Sequence, residues 1–204
     1  MANRSYLYAS DRLPGSPEWE AKRELHGIAE WNYDIPLTFK LLLSGNPRPV
    51  RSSIWDTEEE IALAGDAQAG LLRLQAYLAR LPPQAAELAA EAQGWLSRPS
   101  NVRRYFVLEC GEIFDMEDED FTAQNLALLA EIQALSARLD SLPVPALAVA
   151  SADTGSKKKG GFLERFLGRP EPAPLPNPLA PFHSLGLGNC WSDALYHDFA
   201  DDDN

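Results

Sequence analysis

The chain has little of what most catalytic or membrane-bound proteins need. It carries two cysteines in 204 residues. That is too few for a disulfide framework or an all-cysteine zinc site. Three histidines leave little material for a histidine-dependent metal enzyme. No Gly-x-Ser-x-Gly elbow and no His-Glu-x-x-His pair occurs. The glycine pairs Gly160-Gly161 and Gly186-x-Gly188 lack the flanking strand and spacing of a phosphate loop. No stretch approaches the roughly 20 apolar residues of a membrane span. The opening Met1-Ala2-Asn3-Arg4 has no apolar secretory segment. Together these predict a cytoplasmic protein with no cofactor and no bound metal.

Acid is what the chain has in excess. Thirty acidic residues face eighteen lysines and arginines, a net charge of −12. Such a body repels nucleic-acid phosphates and steers towards basic proteins. Hydrophobic residues at 45% are enough for a packed core.

Local pattern predicts an α+β fold, mainly helical with a small antiparallel sheet. Arg4 to Ser10 alternates around Tyr6, Leu7 and Tyr8 as a first strand. Ser16 with Pro17 opens a short helix through Trp19 and Leu25. Ile35 to Leu43 reads as a helix stopped by Ser44-Gly45-Asn46-Pro47. Val50 to Trp55 reads as a short strand. Thr57-Glu58-Glu59-Glu60 has the form of a capping box opening a long helix, with a break near Gly65 and Gly70. Further helices are expected over residues 83–96 and 118–139, with a strand from Arg104 to Cys110 between them.

Composition divides the chain into a globular domain over 1–148, a flexible basic Pro/Gly-rich linker over 149–181, and a segment over 182–204 that docks back and ends in an acidic tail. Within the linker, residues 157–169 hold five basic residues and one acid. Phe162, Leu163, Phe166 and Leu167 follow the lysines at helical spacing. A short basic amphipathic helix of this kind touches an anionic membrane only weakly, and residues 157–167 are one candidate adaptor surface.

Two other sets of residues point towards function. Glu109, Glu112, Asp115, Glu117, Asp118, Glu119 and Asp120 form the densest acidic run, with no basic residue among them. It lacks the order of a calcium loop. A helix start favours such acids, and a basic protein partner would also be met by Glu112, Asp115, Glu117, Asp118, Glu119 and Asp120. The other set is Gly188-Asn189-Cys190-Trp191. If it heads a helix, the dipole lowers the Cys190 thiol pKa. Cys-Trp after a glycine turn resembles the nucleophile site of papain-like cysteine enzymes. That resemblance implies a basic histidine downstream, where only His197 stands. His183 lies upstream. Asp193 and His197 are four residues apart, as on one helix face.

The opening residues Met1 to Tyr8 and the segment Asn32-Tyr33-Asp34-Ile35-Pro36, followed by a leucine-rich helix ending at Ser44-Gly45, resemble a family of uncharacterised bacterial proteins over residues 1–65. That resemblance implies no activity and no catalytic residue. By analogy, small acidic proteins of this sort neutralise toxins as immunity proteins. The expectation is a non-catalytic module for a basic partner. The alternatives are a hydrolase or transferase using Cys190 with His197 or His183, and a membrane-peripheral adaptor.

Overall fold

A computed structural model describes residues 2–145 and 177–197. Strand β1 (Arg4–Ser10) is the element around which the rest is laid. Tyr6 and Tyr8 point to one side and Leu7 and Ala9 to the other, and all four are buried. Burial on both faces suits a strand inside a sheet, where neighbours pair the backbone groups along both of its edges. Accordingly β1 pairs with β2 (His26–Asn32) on one side and β5 (Tyr105–Glu109) on the other. Strands β4 (Ala62–Asp66) and β3 (Arg48–Val50) complete an antiparallel sheet of order β2-β1-β5-β4-β3. Pro49 lies on the β3 edge, where a missing N–H costs nothing. The fold is α+β, as expected, and forms one domain.

One face of the sheet carries the helices. Leu7, Leu63, Phe106 and Leu108 pack there with α2 (Leu37–Leu43), α3 (Ala67–Leu78), α4 (Ala86–Leu96) and α6 (Phe121–Arg138). Phe182 of the short helix α7 (Ala180–His183) is fully buried in the same core. Pro181 is accommodated there because it sits in the first turn. The other face is covered by loops. Leu13, Leu25, Ile54 and Leu195 close over Tyr6, Tyr8, Val50, Ala64 and Val107. Caps fix two helix starts. Ser16 accepts from the Trp19 N–H at 3.2 Å to open α1 (Pro17–Ala21). Asp120 accepts from the Ala123 N–H at 2.9 Å to open α6.

Residues 57–78 depart from the sequence pattern. No helix starts at Thr57. Its hydroxyl accepts from the Glu59 N–H in a local turn, and the chain then enters the sheet as β4. The helix begins only at Ala67. The physical reason lies in the small residues. At Gly65 and Gly70 a Cβ would overlap the Leu43 and Leu42 carbonyls. These glycines let the α2 C-terminus lie directly on β4 and the first turn of α3. The strand expected over Val50 to Trp55 is likewise shifted, and β3 ends at Val50. Helix α1 stops at Ala21 rather than reaching Leu25.

The segment 187–197 runs along the outer edge of β2. Glu30 N–H donates to the Cys190 carbonyl, Ser192 N–H donates to the Ile28 carbonyl, and Ala29 bridges to Trp191. These bonds satisfy backbone groups that an open edge would leave to water or to another chain. Gly27 permits the close approach, because a side chain there would strike the Asp193 carbonyl. Leu187 and Leu195 are buried on the way. Residues 146–176, which take in most of the 149–181 linker, and the acidic tail lie outside the described residues.

Two glycines make opposite predictions for stability. Gly70→Ala drives a methyl into the Leu42 carbonyl and is expected to lower the unfolding free energy by about 1–3 kcal/mol. Gly94, on the exposed side of α4, has nothing within reach of an added Cβ. Gly94→Ala is expected to raise stability by about 0.5–1 kcal/mol. Urea denaturation of the two variants beside the parent checks both signs.

Candidate functional site

The acidic run divides into inward and outward parts. Glu109 ends β5 on the loop-covered face and is buried. Its carboxylate accepts from Ser52 Oγ at 2.7 Å, Ser53 N at 2.7 Å and Ser53 Oγ at 2.6 Å. Desolvation nonetheless dominates and holds its pKa above the ordinary glutamate value, against the pull of the serine hydrogen bonds and His197. Glu112 lies on α5 (Gly111–Phe114) and also turns inward. It accepts from the Arg4 N–H at 2.9 Å and from the Tyr6 hydroxyl at 2.7 Å. His197 Nε2 lies 3.3 Å from its Oε1. Burial first, and then this bond to Glu112, raise the Tyr6 hydroxyl pKa. Glu112 is therefore a structural acceptor for β1, not part of the exposed face on which the run had placed it.

Asp115, Glu117, Asp118, Glu119 and Asp120 remain on the surface. The fold adds residues that the run did not contain. The turn after β3 brings Trp55, Asp56 and Glu59 against the start of α6. The Trp55 ring meets Phe121 edge-on, with centroids 5.6 Å apart. Thr122 donates a hydrogen bond to Glu59 at 3.3 Å, tying the two segments together. Gly111 lies under the indole, and a Cβ there would overlap Trp55 Nε1. The result is a cleft of about 280 Å³ with Trp55, Ile61 and Phe121 in its walls. Asp56, Glu59, Glu119 and Asp120 also line it. Among the described residues no lysine or arginine forms an ion pair with any of these four carboxylates, nor with Asp115, Glu117 or Asp118, though Arg23 is near enough to Asp56 to feel its charge. Such an arrangement presents carboxylates beside aromatic faces, the chemistry that takes a cationic group.

Cys190 does not head a helix, since residues 187–197 are not helical. Its thiol donates to the Gly186 carbonyl at 3.3 Å, and burial pushes its pKa up to about 12. That direction is opposite to the one a helix N-terminus would impose. His183 Nδ1 lies 2.9 Å from the Leu187 carbonyl, and His197 is engaged with Glu112. Neither histidine hydrogen-bonds Cys190 among the described residues. The structure thus joins His197 to Glu112 and leaves Cys190 as part of the strip along β2. Asp193 and His197 do not share a helix face. No group of three His, Cys, Asp or Glu side chains that could hold a metal occurs among the described residues. The basic segment 157–167 lies outside them. No described helix is long and apolar enough to cross a membrane.

A family model for a domain of unknown function, DUF7822, matches residues 11–150. The chain belongs to that family. The matched span takes in the Trp55–Phe121 cleft and all of the acidic run, but not β1 or the strip along β2. No curated protein and no solved structure matches the chain.

Sequence reasoning missed Trp55, Asp56 and Glu59 because residues 57–60 read as a helix cap. The available signal was the pair of aromatic-acid neighbours, Trp55-Asp56 and Asp120-Phe121.

Two measurements check this geometry. Alkylation of Cys190 in the native chain at neutral pH is expected to be slow, becoming fast only on unfolding. Rapid native labelling would contradict its burial. Glu109 gives a pH dependence. Its folded pKa lies above its unfolded one, so the folded state retains a proton that the unfolded chain has released. Its contribution to stability is therefore greatest below the unfolded value and declines as pH rises from there through the folded value. Glu109→Gln is expected to flatten that part of the stability–pH curve, as read by urea titrations across the acid-to-neutral range.

Proposed function

We propose that the chain is a non-catalytic protein-binding module that recognises a basic partner through its outward acids. The observation that carries this reading is the cleft between Trp55 and Phe121. Asp56, Glu59, Glu119 and Asp120 surround the two rings there, and none of the four is in an ion pair with a lysine or arginine among the described residues. A lysine or arginine side chain laid in the cleft against the outer surface of this ring pair meets both cation–π attraction and direct charge. Asp115, Glu117 and Asp118 extend the same sign of charge beyond the cleft and steer the approach. An excess of acid across the whole chain supports a protein rather than a nucleic acid as the partner.

A bacterial immunity-type protein, acting in the cytoplasm on a basic toxin, is the form of this reading we favour. It rests on the analogy between small acidic toxin-neutralising proteins and this charge distribution. The cysteine-enzyme alternative has no comparable support, because the Cys190 thiol is buried and its pKa raised.

The test begins with a partner isolated from the host at low salt and then purified. Affinity is measured for the parent, for Trp55→Ala, and for the combined change Glu117→Lys, Asp118→Lys and Glu119→Lys. The combined variant is expected to bind at least about tenfold more weakly, and Trp55→Ala about fivefold. Rising salt is expected to weaken the parent complex. Affinity unchanged by charge reversal would overturn the acidic-face reading.

A further inference from the structure

A second cleft, of about 420 Å³, opens between the turn after β1 and the start of β5. It shares no lining residue with the Trp55 cleft. Its charges divide into used and unused groups. Asp11 is used: its Oδ1 accepts from the Arg104 N–H at 3.1 Å and its Oδ2 lies 3.6 Å from Arg103. Arg12 is half-used. It lies 3.6 Å from Glu24, whose same oxygen is held more closely, at 2.9 Å, by Lys22. The Arg104 guanidinium has no carboxylate partner among the described residues. It lies 5.3 Å from the centre of the Tyr105 ring at the start of β5, and Arg48 lies 5.1 Å from the same centre. The Glu18 carboxylate, on α1, also lacks a partner among the described residues.

One cleft therefore presents an unpaired cation and an unpaired carboxylate, with the apolar surfaces of Leu13 and Tyr105 in its wall. A simple anion would be attracted by Arg104 and repelled by Glu18, and a simple cation the reverse. A molecule that carries both charges satisfies both. We propose that this cleft binds a small zwitterion of amino-acid type. Arg104, with Arg12 beside it, takes the carboxylate, Glu18 takes the ammonium, and the ligand's apolar part lies against Leu13 and Tyr105. An arginine fork matches a carboxylate in two-point geometry. Both opposite charges are needed at once, which separates this site from a general ionic surface.

Calorimetric titration of the full chain tests the proposal with four probes: leucine, the dipeptide leucyl-leucine, N-acetyl-leucine and isopentylamine. The last two each lack one charge. At least one of the first two is expected to bind, and each singly charged analogue at least about tenfold more weakly. Leucine binding alone identifies a free amino acid as the ligand class, and dipeptide binding alone identifies short peptides. Arg104→Gln and Glu18→Gln, both on the surface and each checked for folding by circular dichroism, are each expected to weaken the bound probe about tenfold. Arg138→Gln, an exposed change outside the cleft, is expected to leave it unaltered. No heat from either zwitterion at about 10 mM, a level weaker than any useful small-ligand affinity, would overturn the proposal. So would equal binding of a singly charged analogue, or affinity that survives both cleft substitutions.

Discussion

The whole arrangement depends on β1 being buried on both faces. A strand with Leu7 and Ala9 on one side and Tyr6 and Tyr8 on the other needs two covers. The helices supply the first. The second is made of loops, and it must satisfy two tyrosine hydroxyls as well as exclude water. Glu112 accepts from Tyr6, and the His197 carbonyl accepts from Tyr8 at 2.8 Å. Arg4 at the start of the strand pairs with Glu30 at 3.3 Å and lies over the Tyr196 ring. Both described ends of the chain thus meet on one polar patch. The strip that brings Tyr196 and His197 there also closes the β2 edge, so one segment serves two structural needs.

This constraint sorts the acids. Glu109 and Glu112, close in sequence to the surface run, are drawn under the loops by β1 and by Ser52 and Ser53. What remains outside is a smaller and more definite set, Asp115 and Glu117 to Asp120, joined by Asp56 and Glu59 from another part of the chain. The sorting matters for function because a carboxylate already held by Ser52 and Ser53, or by Arg4 and Tyr6, offers nothing to a partner. An exposed one beside Trp55 and Phe121 offers its charge. The functional reading accordingly moves from a stretch of sequence to a place in the fold, the cleft where α6 begins.

The fold class was legible in local pattern, as were β1, the Ser16 cap and the helix over 121–138. Each carries its own signal: alternation, a side-chain acceptor before a proline, and leucines at helical spacing. Residues 57–66 were misleading because their signals conflict. A capping-box pattern at Thr57 is locally strong, but Gly65 and Gly70 serve a contact with α2 that sequence spacing does not reveal. Strand β2 was missed because Gly27, Ile28 and Ala29 do not alternate in polarity and the pairing shifts register between Leu7 and Tyr8. The candidate site was legible only in part. Its acids just before α6 stand together in the chain with Phe121, whereas Trp55 and two further acids arrive from some sixty residues away through sheet pairing. The His197–Glu112 contact was hidden for the same reason, and Cys190 took its apparent helix position from a glycine turn that does not lead into a helix.

Hydrogen exchange on the intact chain, resolved by residue with NMR, tests most directly whether the C-terminal strip completes the sheet around β1. The account predicts that amides of Leu7, Ala9, Val107 and Leu108 are among the slowest to exchange. It also predicts that the Glu30 amide, which donates to Cys190 across the outer edge of β2, is protected well beyond an open-edge amide. A Glu30 amide that exchanges as fast as those of exposed turns, with β1 protected no better than the loops, would contradict it.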